Sequence, residues 1–173
     1  MKKIIFALMI FTMISVTANA QDKTMKTGTP LRLSFGLNAG APLGKINSKT
    51  SAFVIGGDLT VEYSVSQNFS VTGSAGIDAR LNKGGVVNTK NYAPMLGGLR
   101  LYFSDKFYIS EQAGYSLALT KGLNGLFTNV AGIGTRLSKN SDVFLGYKGL
   151  FKSGITTTNY NTFAIRIAYV FGK

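Results

Sequence analysis

The sequence predicts an all-β fold, an eight-stranded antiparallel up-and-down barrel that crosses a membrane after removal of a signal peptide. Three observations predict it. The first is strict alternation from Tyr160 to Phe171. Asn161, Phe163, Ile165, Ile167, Tyr169 and Phe171 share one face, and Tyr160, Thr162, Ala164, Arg166, Ala168 and Val170 share the other. A period of two is a strand with unlike environments on its faces, and a tilted strand needs only about 9 to 11 residues to cross a bilayer. The second is composition: 45% hydrophobic with 15% charged, where soluble domains carry about 25% charged residues. The third is that the same alternation recurs eight times, with short turns and longer loops taking turns between the strands.

In chain order, residues 1–20 read as the signal peptide. Lys2 and Lys3 precede an apolar run from Ile4 to Val16, and Ala18-Asn19-Ala20 is a small-x-small cleavage pattern. The run is shorter than the roughly 20 residues of a membrane helix. Taking Lys2 and Lys3 from the formal +12 leaves +10 for the exported chain. Residues 21–30 are a polar lead-in ending at Pro30, and residues 31–171 form the barrel. The first strand spans Leu31 to Gly40, the second Phe53 to Val65 and the third Phe69 to Arg80. The fourth covers Pro94 to Phe103, the fifth Phe107 to Leu117 and the sixth Phe127 to Leu137. Asp142 to Phe151 is the seventh, and Tyr160 to Phe171 the last. Turns open with Ser66, Ser104 and Ser138. The longer connections are Ala41 to Ala52, Leu81 to Asn91, the stretch around Lys121, Gly122 and Gly125, and Lys152 to Asn159.

Parity does not say which face looks inward, so a soluble lipocalin-like carrier, with the apolar face around a greasy ligand, stands as one alternative. Three features favour the membrane. The polar face is rich in glycine (Gly36, Gly56, Gly76, Gly132 and Gly146 among others), which suits a crowded interior better than a solvated surface. Aromatics on the apolar face gather near the strand ends, with Tyr63, Phe103, Phe107 and Phe171 by the turns and Phe53, Phe127, Phe151 and Phe163 by the loops, as two interfacial girdles require. All five arginines, Arg32, Arg80, Arg100, Arg136 and Arg166, fall on the polar face, whereas every lysine of the exported chain except Lys148 falls in a loop, turn or terminus. Arginine suits buried, multidentate pairing and lysine suits full hydration. With Asp58, Glu62 and Asp78 on the same face, these residues and Lys148 predict a charge network in the lumen. Arg32, Arg136 and Arg166 are expected to gather on Glu62. Glu111 alone breaks the pattern, taking the apolar parity; a place near the interface, pairing with a neighbouring chain or a β-bulge that turns it inward would each account for it, and the bulge is the preferred reading.

With these features the chain resembles the small eight-stranded OmpA/OmpX-type outer-membrane β-barrels. The resemblance rests on the turn and loop alternation, the interior arginine and acid set, and the C-terminal aromatic strand. It implies outer-membrane residence, contact with outer-membrane lipid and lipopolysaccharide, and delivery to the outer-membrane assembly machinery through a terminal signal that Tyr169 and Phe171 supply. The chain departs from the family pattern by continuing through Gly172 and Lys173 and by placing Arg166 where a glycine is often found.

No catalytic, metal or cofactor site is expected. The chain has no histidine and no cysteine, so neither a Ser-His pair nor a thiol nucleophile can be assembled. Asp58 and Glu62 read as structural ion-pair partners. Lys45, Lys49, Lys83, Lys90, Lys121 and Lys152 lie in or beside the four long connections, which hold no acid. They form a basic external rim that would attract polyanions. A nucleic-acid role is excluded by the export address and by the lack of an aromatic-basic platform. The expected protein is a monomeric, non-enzymatic barrel acting in envelope integrity or surface contact, and a narrow conduit for small, anionic solutes is the alternative.

Overall fold

The computed structural model describes residues 31–43, 51–82, 85–151 and 160–171. The expected signal peptide and lead-in, and Lys45, Lys49, Lys83 and Lys152, lie outside them. Eight strands follow in order: β1 (Leu31–Leu43), β2 (Ser51–Ser64), β3 (Phe69–Asn82), β4 (Gly85–Tyr102), β5 (Phe107–Ala118), β6 (Leu126–Arg136), β7 (Ser141–Phe151) and β8 (Tyr160–Phe171). Each pairs antiparallel with its neighbours in sequence, and β1 pairs with β8, Leu33 opposite Phe171 and Leu43 opposite Asn161, to close the barrel. Closure removes every sheet edge, so the backbone polar groups are satisfied even where no water reaches them.

The two faces never exchange. Every large hydrophobic residue exposed on the outside, from Leu31 to Phe171, has an odd number, and among the described residues every buried residue except Gly149 has an even one. The turns hold this phase. At one end, Phe103 N–H donates to Phe107 O (3.2 Å) and Leu137 N–H to Ser141 O (3.0 Å). The Ser104 hydroxyl accepts from the amides of Lys106 and Phe107 at 3.4 and 3.0 Å, and the Ser138 hydroxyl accepts from the amide of Asn140 at 3.2 Å. In these two turns the opening serine thus replaces ladder bonds that the reversal breaks. The chain enters β1 and leaves β8 at this turn end. The longer connections lie at the opposite, loop end, where Gly122 takes a left-handed φ of 80° in the connection between β5 and β6.

Two expectations are corrected here. The stretch Leu81 to Asn91 is not a long loop: β3 continues to Asn82 and β4 begins at Gly85, so this hairpin reaches further than the others. Lys90 therefore sits in a strand, opposite Arg80. Nor is there a bulge at Glu111. The register of β5 runs unbroken against both neighbours, with Glu111 opposite Leu99 and Ala131, so its side chain stays on the outer surface. There Asn129 Nδ2 donates to Glu111 Oε1 at 3.4 Å. A polar neighbour on the same face replaces the inward rotation.

Candidate functional site

The even-numbered face places the charged side chains inside the barrel in three layers. At the turn end the centre is Glu62 on β2, only 4% exposed. Arg100 Nη1 donates to its Oε2 at 2.8 Å, Tyr102 OH to its Oε1 at 2.6 Å and Arg136 Nη2 to Oε1 at 3.5 Å, and Arg32 Nη1 stands 3.7 Å from Oε2. Asp142 holds the far side, accepting from Arg100 Nη1 at 3.4 Å and from Tyr108 OH at 2.6 Å. Guanidinium and phenol planes interleave: Arg100 Cζ lies 4.1 Å from the centre of the Tyr108 ring, Arg136 Cζ 4.1 Å from that of Tyr102, and the two tyrosine rings are 5.4 Å apart. Three arginines and two acids leave one positive charge spread over π faces that favour cations.

The middle layer is neutral. Arg166 on β8 grips Asp58 on β2 across β1, Nε donating to both carboxylate oxygens at 3.0 and 2.9 Å and Nη2 to Oδ1 at 2.6 Å. The remaining capacity of Nη2 goes to Thr60 Oγ1 at 3.2 Å and Ser34 Oγ at 3.4 Å. Arg166 thus pairs with Asp58, while Arg32 and Arg136 share Glu62 with Arg100. Space for the guanidinium comes from Gly36, where a Cβ would overlap the Arg166 head group. Gly36→Val is expected to destabilise the barrel by about 1–3 kcal/mol through overpacking, read as a lower urea midpoint of the refolded protein. Gly73→Val is the control: a Cβ there meets nothing within 4 Å, so no loss is expected. A cavity of about 80 Å³ adjoins Asp58, Arg166, Gln112 and Lys148, large enough for several waters at roughly 10–15 Å³ each.

Towards the loop end, Lys148 on β7 bonds Asp78 on β3. Arg80, two residues beyond Asp78, donates from Nη2 to Thr162 Oγ1 at 3.2 Å. An apolar cluster of Tyr92, Leu126 and Leu150, with Leu123 and Tyr160 packed against it, caps this end. Among the described residues the lumen is thus filled by stacked arginine and tyrosine towards one end and by an apolar cluster towards the other. Of the rim lysines inside the described residues, Lys121 is exposed in the connection between β5 and β6. Lys90 is instead partly buried in the mouth, donating to Tyr160 OH at 3.4 Å. Tyr169 and Phe171 face outward at the turn end with ring centres 5.2 Å apart. Asp142, Tyr102, Tyr108 and Tyr160 belong to this interior although charge patterning alone did not single them out. Their even numbers were the available signal. Among the described residues no three His, Cys, Asp or Glu side chains gather in a way that could hold a metal ion.

No protein-family model matches the chain, and no curated protein does. Solved structures do. Ail of Yersinia pestis, in a crystal structure with the heparin analogue sucrose octasulfate, superposes with a TM-score of 0.58 at 14% identity, over 83% of this chain and 100% of that one. The N-terminal β-barrel domain of Pseudomonas aeruginosa OprF gives 0.57 at 10% identity, over 81% and 97%. The chain has the fold of the small outer-membrane β-barrels. A de novo designed transmembrane β-barrel is similar too, with a TM-score of 0.51 and 16% identity over 85% of this chain and 100% of the design. That likeness shows how far the architecture depends on alternation and closure, which unrelated sequences can share. At identities this low the similarity is one of fold.

Proposed function

We propose that this protein is a monomeric, non-enzymatic barrel of the outer membrane, with its turn end in the periplasm and its loop end outside, acting in surface contact with polyanions through the basic loop end. The observation that carries this is the distribution of charge. Ion pairs and an apolar cluster fill much of the lumen, the outer wall is a belt of exposed hydrophobic side chains, and the connections at the loop end hold lysine without a single acid. That end is the one where basic side chains gather without acids between them. The solved complex of Ail with a heparin analogue supports a polyanion as the partner class, and lipopolysaccharide phosphates present the same chemistry. Tyr169 and Phe171 are proposed as the signal read by the assembly machinery.

The test has two stages. Unboiled protein from the outer-membrane fraction is expected to migrate as a compact species in SDS and to shift on boiling. Purified protein in neutral detergent is then expected to bind immobilised heparin or lipopolysaccharide with an affinity that falls as salt rises. Replacing Lys45, Lys49, Lys83, Lys121 and Lys152 together by Gln should weaken that binding at least about tenfold, as loss of several screened attractions requires. Equal binding by the variant would sink the contact role. Planar-bilayer recording is expected to show no stable conductance. A reproducible anion-selective conductance that changes in Arg136→Ala would put a conduit in its place.

A further inference from the structure

We infer that the loop-end mouth of the lumen is a binding site for a single phosphate-type or sulfate-type oxyanion, built from Arg80, Lys90, Tyr160 and Thr162. The inference stands on the lumen geometry and does not depend on the contact role of the loops.

The layers of the lumen differ in charge balance. The middle is neutral and the turn end carries a surplus of one, but the loop end sets Arg80, Lys90 and Lys148 against Asp78 alone, and Asp78 bonds Lys148. Arg80 and Lys90 are direct cross-strand partners of β3 and β4, an arrangement of like charges that opposes pairing. Both converge on one aromatic ring, with Arg80 Cζ 4.8 Å and Lys90 Nζ 5.5 Å from the centre of Tyr160. Arg80 is only 2% exposed, and its Nη1 has no hydrogen-bond acceptor. A buried guanidinium with an unsatisfied donor costs several kcal/mol unless an anion or water meets it.

Among the described residues no other acid is placed to do so. Of the seven, Asp58, Glu62, Asp78 and Asp142 are engaged in the layers already described. Asp105 lies in the turn at the opposite end and Glu111 on the outer surface. Asp22 lies outside the described residues, and the connections at the loop end contain neither Asp nor Glu. With Arg80 and Lys90 both left over after the Asp78–Lys148 pair, an anion from outside answers the surplus of charge better than neutral water does. An oxyanion suits the donors: a guanidinium edge, an ammonium, and the hydroxyls of Tyr160 and Thr162. Lys90 is the movable member, held by a 3.4 Å bond to Tyr160 OH and by the face of the same ring, so its displacement admits the ligand and its return closes over it. Free phosphate and the phosphomonoester of a lipid headgroup share this chemistry.

The test measures the thermal midpoint of the compact species on SDS gels, at constant ionic strength. One arm uses neutral detergent with sodium phosphate against sodium chloride. The other uses phosphate-free vesicles of phosphatidylcholine with or without phosphatidic acid. Wild type is expected to be protected in at least one arm, and Lys90→Gln to need about tenfold more phosphate or phosphatidic acid for equal protection, the loss typical of one charge-assisted hydrogen bond. Lys121→Gln, on the exposed rim, is expected to behave as wild type. Protection in detergent assigns the site to a free anion, and protection only with phosphatidic acid assigns it to a lipid headgroup. No phosphate-specific protection of wild type in either arm, or equal protection of wild type and Lys90→Gln, would overturn the site. Lys90→Gln changes a partly buried side chain in the mouth, so folding is expected to survive where Arg80→Gln would fail.

Discussion

Glu62→Leu is expected to lower the stability of the refolded barrel by about 3–5 kcal/mol, the usual consequence of removing one partner from a buried ion pair. The exposed-pair regime, worth about 0–1 kcal/mol, does not apply, because Glu62 is 4% exposed and its strongest partner Arg100 is 6% exposed. Removing the carboxylate strips an acceptor from Arg100, Arg136 and Tyr102 and a counter-charge from Arg32, leaving Asp142 to face three guanidiniums. The measurement is the urea midpoint of protein in phospholipid vesicles, followed by the compact band. The double variant Glu62→Leu with Arg100→Met should recover part of the loss, since removing both partners leaves less charge unpaired. Glu111→Leu provides the contrast of sign. Its carboxylate is on the outer surface, where an acid facing lipid is unfavourable, so that variant is expected to be neutral or more stable. A loss under about 1 kcal/mol for Glu62→Leu would mean that water already solvates these guanidiniums.

This contrast between Glu62 and Glu111 also marks what could be read from the sequence. Alternation is local, so parity separated the two faces of each strand, and the glycine and arginine content of the even face marked it, with Arg32, Asp58, Asp78, Arg100 and Arg166, as the inward one. The turns then preserved phase, so one parity served the whole barrel. Height within the lumen was not legible. Arg166 meets Asp58 across β1, and Arg100 of β4 meets Asp142 of β7 across the interior. Such pairings depend on strand stagger, which no strand carries by itself. Lys90 was misplaced because the stretch from Gly85 to Asn91 holds Gly, two Asn and Lys, a loop-like composition, although Val86, Val87 and Thr89 favour a strand. The bulge expected at Glu111 failed for a related reason: Asn129 carries the same outward parity on the adjacent strand, and a polar pair could form without any change of register.

Leu37→Arg separates a barrel in lipid from a barrel in water by the sign of its effect. Leu37 lies mid-strand on β1, 61% exposed and opposite Gly57 and Ile167. If water covered this surface, an arginine there would relieve an exposed apolar patch and leave stability nearly unchanged, as surface substitutions usually do. If lipid covers it, a guanidinium near the bilayer midplane costs about 2–4 kcal/mol, declining toward the interfaces. Position therefore matters as well as charge. The same substitution at Phe171, in the turn-end aromatic girdle, is expected to cost no more than about 1 kcal/mol of burial and transfer energy. The experiment compares urea midpoints of Leu37→Arg, Phe171→Arg and wild type in vesicles. A large loss for the first and a small one for the second gives the outer wall a midplane and an interface, which only a bilayer supplies. Equal and small losses would return the apolar belt to water and leave the soluble carrier as the better account.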